Sequence, residues 1–116
     1  MKALSALALT LIVALALPAR APADEPARTV DITAKRFEFV PSTVTLKKGE
    51  TVRLRVTSED VTHGLFLRPL KIDTDIVPGK VQDLTVTPQA AGTFTAICHH
   101  FCGSGHGNMK LTIVVE

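Results

Sequence analysis

The chain has 116 residues, which is room for one domain, and a formal net charge of +2. So slight an excess of base excludes the positive face that nucleic acid requires. With five Phe and neither Trp nor Tyr, any core must be packed by Val, Leu and Ile, and a domain of this size buries only about 60–65% of its unfolded surface.

Residues 1–23 read as an address rather than as structure. Lys2 gives a basic start, Ala3 to Leu17 is an apolar run, and Pro18 ends it. Ala21-Pro22-Ala23 then supplies an A-x-A cleavage site, with Asp24 as the first mature residue. The competing site Ala19-Arg20-Ala21 would leave Pro22 directly after the cut. The run falls short of the roughly 20 residues a spanning helix needs, so a cleaved signal peptide is expected over a retained anchor. Lys2 and Arg20 leave with it, and the charge of the remaining domain, residues 24–116, balances.

Residues 24–28 form a polar arm. From Thr29 the pattern has period two: Val30 and Ile32 alternate with Thr29 and Asp31, and Phe37 and Phe39 with Arg36 and Glu38, until Pro41-Ser42 breaks the run. Val44 and Leu46 share a face before the turn Lys47-Lys48-Gly49-Glu50. Thr51 to Val56 is the clearest strand, with apolar residues on one side and polar ones on the other. Thr62 to Leu67 is extended and closed by Arg68-Pro69; Ile72 to Val77 ends at Pro78-Gly79. Leu84 and Val86, then Phe94 and Ala96, then Leu111, Ile113 and Val115 mark three further strands. No window has the 3.6-residue period of an amphipathic helix. Short strands punctuated by turn residues predict an all-β fold, a Greek-key β-sandwich.

Between the last two strands lies the segment with the most chemistry. Cys98-His99-His100-Phe101-Cys102-Gly103-Ser104-Gly105-His106-Gly107-Asn108-Met109 holds two thiols, three imidazoles and a thioether. Thiolate and thioether are soft ligands and imidazole suits copper, so the set points to that metal. Cys102, His106 and Met109 with one distant His would complete a mononuclear blue-copper site. Cys98 is then surplus, and its thiolate can bridge a second ion together with Cys102. That arrangement needs another imidazole from upstream, and Asp60-Val61-Thr62-His63-Gly64 offers one. Export places both cysteines in an oxidising compartment, where a structural disulfide is the alternative. A disulfide is also expected in the copper-free form.

The combination of Asp60-Val61-x-His63, the turn Pro78-Gly79 and Cys98-x3-Cys102-x3-His106-x2-Met109 resembles the dinuclear copper-A domain of cytochrome c oxidase subunit II, over about residues 30–116. The resemblance implies a cupredoxin fold and two coppers. Cys98 and Cys102 would be bridging thiolates, His63 and His106 the imidazole ligands, Met109 an axial thioether, and His100 an axial ligand through its main-chain carbonyl. The imidazoles of His99 and His100 receive no metal role and are read as rim groups. Two departures stand out. The chain has no Trp for the aromatic entry route for electrons used by many subunit II domains, and His100 replaces the Glu that many relatives carry between the cysteines.

The leader and the resemblance together imply an exported electron carrier, periplasmic or on the outer face of the cytoplasmic membrane, without substrate chemistry of its own. Its expected partners are redox proteins such as a c-type cytochrome or a terminal oxidase, and it is expected to be a monomer. The alternatives are a membrane-anchored oxidase subunit, held by an uncleaved leader, and a copper carrier delivering metal to an oxidase.

Overall fold

The computed structural model describes residues 10–14, 26 and 28–116. The expected leader, apart from residues 10–14, and its cleavage site lie outside the described residues. Nine strands follow in order: β1 Arg28–Lys35, β2 Glu38–Val40, β3 Thr43–Leu46, β4 Val52–Ser58, β5 His63–Leu67, β6 Ile72–Ile76, β7 Gln82–Val86, β8 Gly92–Ile97 and β9 Lys110–Val115. Among the described residues the only helical pieces are single 3-10 turns at Arg68–Leu70 and His106–Asn108. No described helix is long and apolar enough to cross a membrane.

The strands form two sheets, β2-β1-β4-β7 and β3-β9-β8-β5-β6. The pairs β1–β4 and β3–β9 are parallel, and the remaining pairs are antiparallel. Period-two patterning explains why the sheets face each other. On β4, Val52, Leu54 and Val56 are buried while Arg53 and Arg55 are exposed. Leu111, Ile113 and Val115 repeat this on β9, and Leu65 and Ala96 fill the space between. Apart from Phe39 and the sulfur-bearing Cys98, Cys102 and Met109, the core is aliphatic, as the composition required.

One reading of the pattern is corrected. The alternation from Thr29 to Phe39 is not one strand, because the chain reverses at Arg36-Phe37 and Lys35 pairs with Glu38. Alternation counts faces but cannot see a tight reversal that lacks Gly, Asn or Pro. In consequence Phe39 is buried in the core, whereas Phe37 stands on the turn, over the segment that joins β8 to β9.

Candidate metal centre

Three pieces of chain meet at one end of the sandwich: the β4–β5 connection with the start of β5, the β1–β2 turn, and the segment from Cys98 to Met109. That segment is closed at its neck, where the Cys98 amide donates to the Met109 carbonyl (3.2 Å). Within it the His106 amide bonds Gly103 O, and the Asn108 amide bonds Gly105 O, each at 3.1 Å. Of its three glycines, two have a steric reason. Gly103 has φ +137°, and a Cβ there would stand 2.9 Å from the Phe37 ring; a Cβ on Gly105 would also run into that ring. Gly107 has open space around it.

Cys98, Cys102, Met109 and His63 are buried. The two Sγ atoms lie 3.9 Å apart and both cysteines are free. A disulfide would bring them to about 2.05 Å. The observed gap instead suits one ion touching both, since a metal–thiolate bond is about 2.3 Å. Around Cys98 Sγ stand the Gly64 amide, which donates to it at 3.3 Å, and the His100 carbonyl, also at 3.3 Å. Around Cys102 Sγ stand His106 Nδ1 and Met109 Sδ, each at 3.8 Å. The ligand atoms of His63, Cys98 and Cys102 all fall within 4.8 Å of one another. Each of the other residues singled out in the sequence thus lies near one of the two sulfurs: His63 near both, His106 and Met109 beside Cys102, and His100, through its carbonyl, beside Cys98.

His63 carries the most informative detail. It is fully buried, its Nε2 lies 2.7 Å from Asp60 Oδ1, and its Nδ1 is a buried polar atom with no partner. Leaving such an atom unsatisfied costs about 1–3 kcal/mol. With Asp60 accepting the Nε2 proton, Nδ1 keeps its lone pair, which is the tautomer a metal ligand needs. The donor set and this unsatisfied nitrogen both fit copper.

The Asp60 carboxylate also accepts the amides of Arg36 (2.8 Å) and Val61 (2.6 Å). Burial pushes this carboxyl up, but the Arg36 amide, the His63 ring and the Val61 amide outweigh it and hold the group at about 2, below its ordinary 3.8. Because the folded value is the lower one, these bonds contribute stability that is complete above about pH 4 and lost as pH falls towards about 2. Asp60→Asn should therefore flatten the loss of thermal stability of the metal-free protein across that window. It should also weaken copper binding by about 10–100-fold in a chelator competition, the usual cost of losing a ligand's hydrogen-bonded support. At Cys102, burial and the neighbouring Cys98 push the thiol up to about 11, so metal uptake must displace its proton.

The remaining imidazoles differ from each other. His100 is exposed, at the rim. His99 is less free than a rim group: its Nε2 lies 2.9 Å from Asp73 Oδ1, and its ring centroid is 5.8 Å from that of Phe66. Its ring also presses on Gly64, where a Cβ would collide with Nδ1 and come within 2.9 Å of the His100 amide nitrogen. Sequence reading missed Gly64, Phe37 and Arg36. Their contacts span long separations, 66 residues between Arg36 and Cys102, and nothing local to them announces a site.

This fold and these donors are those of a copper-binding β-sandwich, and the chain belongs to the family of cupredoxin-like domains, whose profile matches residues 5–115. Within that class it is similar to cytochrome c oxidase subunit 2 of Thermus thermophilus, with 34% identity over 88 residues, 76% of this chain and 65% of the relative. Against a second cytochrome c oxidase subunit 2 of that organism the identity is again 34%, and the match covers 76% of this chain and 52% of the relative. The chain thus spans about half to two thirds of the length of these relatives. Among solved structures, a chain of a heme-copper terminal oxidase dimer superposes with a TM-score of 0.70 and 26% identity, covering 77% of this chain and 65% of that one. The periplasmic domain of subunit II of cytochrome oxidase from Bradyrhizobium japonicum gives a TM-score of 0.74 at 18% identity, covering 82% and 88%. That second likeness speaks for the fold alone.

Proposed function

We propose that residues 24–116, exported after loss of residues 1–23, form an electron-transfer domain with a dinuclear copper-A centre. Cys98 and Cys102 would hold both ions through their thiolates, with His63 and His106 each supplying an imidazole and Met109 and the His100 carbonyl as weaker donors. The observation that carries this reading is the second buried thiol: Cys98 stands 3.9 Å from a Cys102 already accompanied by His106 and Met109. One ion does not need that many donors.

When bound, the copper pair supplies one-electron redox chemistry. The chain's own part is to hold its donors still. His63 sits on a strand and is fixed by Asp60, and the cysteine segment is closed by its own backbone bonds and capped by Phe37. Ligands so fixed cannot rearrange far between oxidation states, which keeps the barrier to electron transfer low. No step of substrate chemistry is assigned to the domain, which acts as a carrier between redox proteins such as a c-type cytochrome and a terminal oxidase, on the periplasmic side and as a monomer. Burial of both thiols, the thioether and His63 favours metal retention over delivery.

The test is rapid mixing of the copper-loaded domain with exported cytochromes, in the presence of a chelator. Fast reduction and reoxidation with all copper retained is expected. Ready loss of copper to an apo-acceptor, with slow electron exchange throughout, would replace the carrier by a delivery protein. Similarity to oxidase subunit 2 favours one further reading, an oxidase subunit, which copurification with a haem-bearing subunit would establish.

A further inference from the structure

We propose that Arg36 is a positioning residue of this centre: its side chain ties down the Cys102 segment, and its charge raises the reduction potential. The inference rests on the copper reading above. Arg36 lies at the β1–β2 turn and reaches the site twice, by different atoms. Its main-chain amide donates to Asp60, which holds His63, and its side-chain Nε donates to the Cys102 carbonyl at 3.0 Å. One residue thereby links the segment bearing the upstream imidazole to the segment bearing the second thiol.

The side-chain bond is not that of an ordinary solvated arginine. Among the described residues Arg36 has no carboxylate partner, whereas Arg28 and Arg55 pair with Glu50 and Asp83. Donation from Nε, the nitrogen nearest the chain, keeps the whole guanidinium beside the loop. There it lines a recess of about 300 Å³ with Thr62, His100, Phe101 and Gly103. Asp60 places a negative charge at the same site, and the Arg36 guanidinium offsets it. A cation next to a pair of thiolates favours the state with one more electron, so it raises the potential. The group is exposed on its outer side, so salt should screen part of the effect.

The two atoms allow a clean experiment, because the main-chain bond to Asp60 is available to any residue but proline. Arg36→Gln keeps a donor but loses the charge, Arg36→Lys keeps the charge, and Arg36→Met loses both. Copper content, the electron paramagnetic resonance spectrum and the potential are measured for each copper-loaded domain at low and high salt. Hydrogen exchange of the amides of residues 103–106 is measured on the metal-free proteins. Arg36→Gln should keep its copper and spectrum while its reduced-to-oxidised ratio at a fixed poise falls about tenfold, which for one electron is about 59 mV. Arg36→Lys should recover most of that fall, and high salt should shrink the difference. Arg36→Met should speed exchange in the loop.

An unchanged potential in Arg36→Gln, or an equal fall in Arg36→Lys, would overturn the electrostatic role. Unchanged exchange in Arg36→Met would overturn the tether. A wild-type chain that binds no copper would instead refute the copper reading, and the exchange result would still decide the tether for or against.

Discussion

Cys98→Ser should reduce the copper content of the fully loaded domain from a pair to a single ion, and the electron shared between two nuclei should disappear. The remaining donors are Cys102, with His106 and Met109 each 3.8 Å from its sulfur, and His63 within 4.8 Å of it. These are the donors of a mononuclear site, so a blue single-copper spectrum is the expected remnant. Cys102→Ser should be the more damaging change. Cys102 Sγ lies 3.8 Å from both His106 Nδ1 and Met109 Sδ, whereas Cys98 Sγ contacts main-chain groups of Gly64 and His100. A serine hydroxyl is a harder donor and stays protonated, so it replaces neither sulfur. Metal analysis with visible and electron paramagnetic resonance spectra distinguishes the two variants. Retention of both ions in either one would remove the basis for bridging thiolates.

The second large effect should come from a single added methyl group. Gly64→Ala puts a Cβ into the His99 ring and within 2.9 Å of the His100 amide nitrogen. The His99 ring, exposed though paired with Asp73 and near Phe66, can give way, but the backbone nitrogen cannot. The amide nitrogen belongs to the ligand loop itself. The Gly64 amide must at the same time keep its bond to Cys98 Sγ. Overpacking of this sort costs about 1–3 kcal/mol, or on the order of 10 °C in Tm for a domain of this size. Copper affinity should fall as well, because the loop is displaced towards its own ligands. Gly107→Ala is the control: that site has open space, and its Tm and copper binding should stay near wild type. Equal behaviour of the two variants would mean that the loop does not rest on β5 as described.

Much of this was legible before any coordinates. Period-two runs in β4 and β9 give their buried faces directly, because a half-buried strand writes its environment into every second residue. The ligand set was legible for another reason: soft donors are scarce, and Cys98, Cys102, His106 and Met109 stand within twelve residues with spacings a single loop can close. His63 needed the company of Asp60, since a lone histidine on a strand carries no such message. What could not be read were contacts made by ordinary residues across the fold. Phe37 looked like one more inward residue of an alternating strand until the chain was seen to reverse at Arg36-Phe37. Gly64 gave no sign that a loop 34 residues away would lie against it. His99 resembled a free rim group, although Asp73, from β6, restrains it. Each depends on where two distant segments meet, and neither segment encodes that alone.

The dinuclear centre is tested most directly by counting copper per chain in the fully loaded domain and recording the electron paramagnetic resonance spectrum of the same sample. Two coppers per chain are expected, with one unpaired electron whose hyperfine pattern comes from two equivalent copper nuclei. A single copper per chain, with the hyperfine pattern of one nucleus, would contradict it.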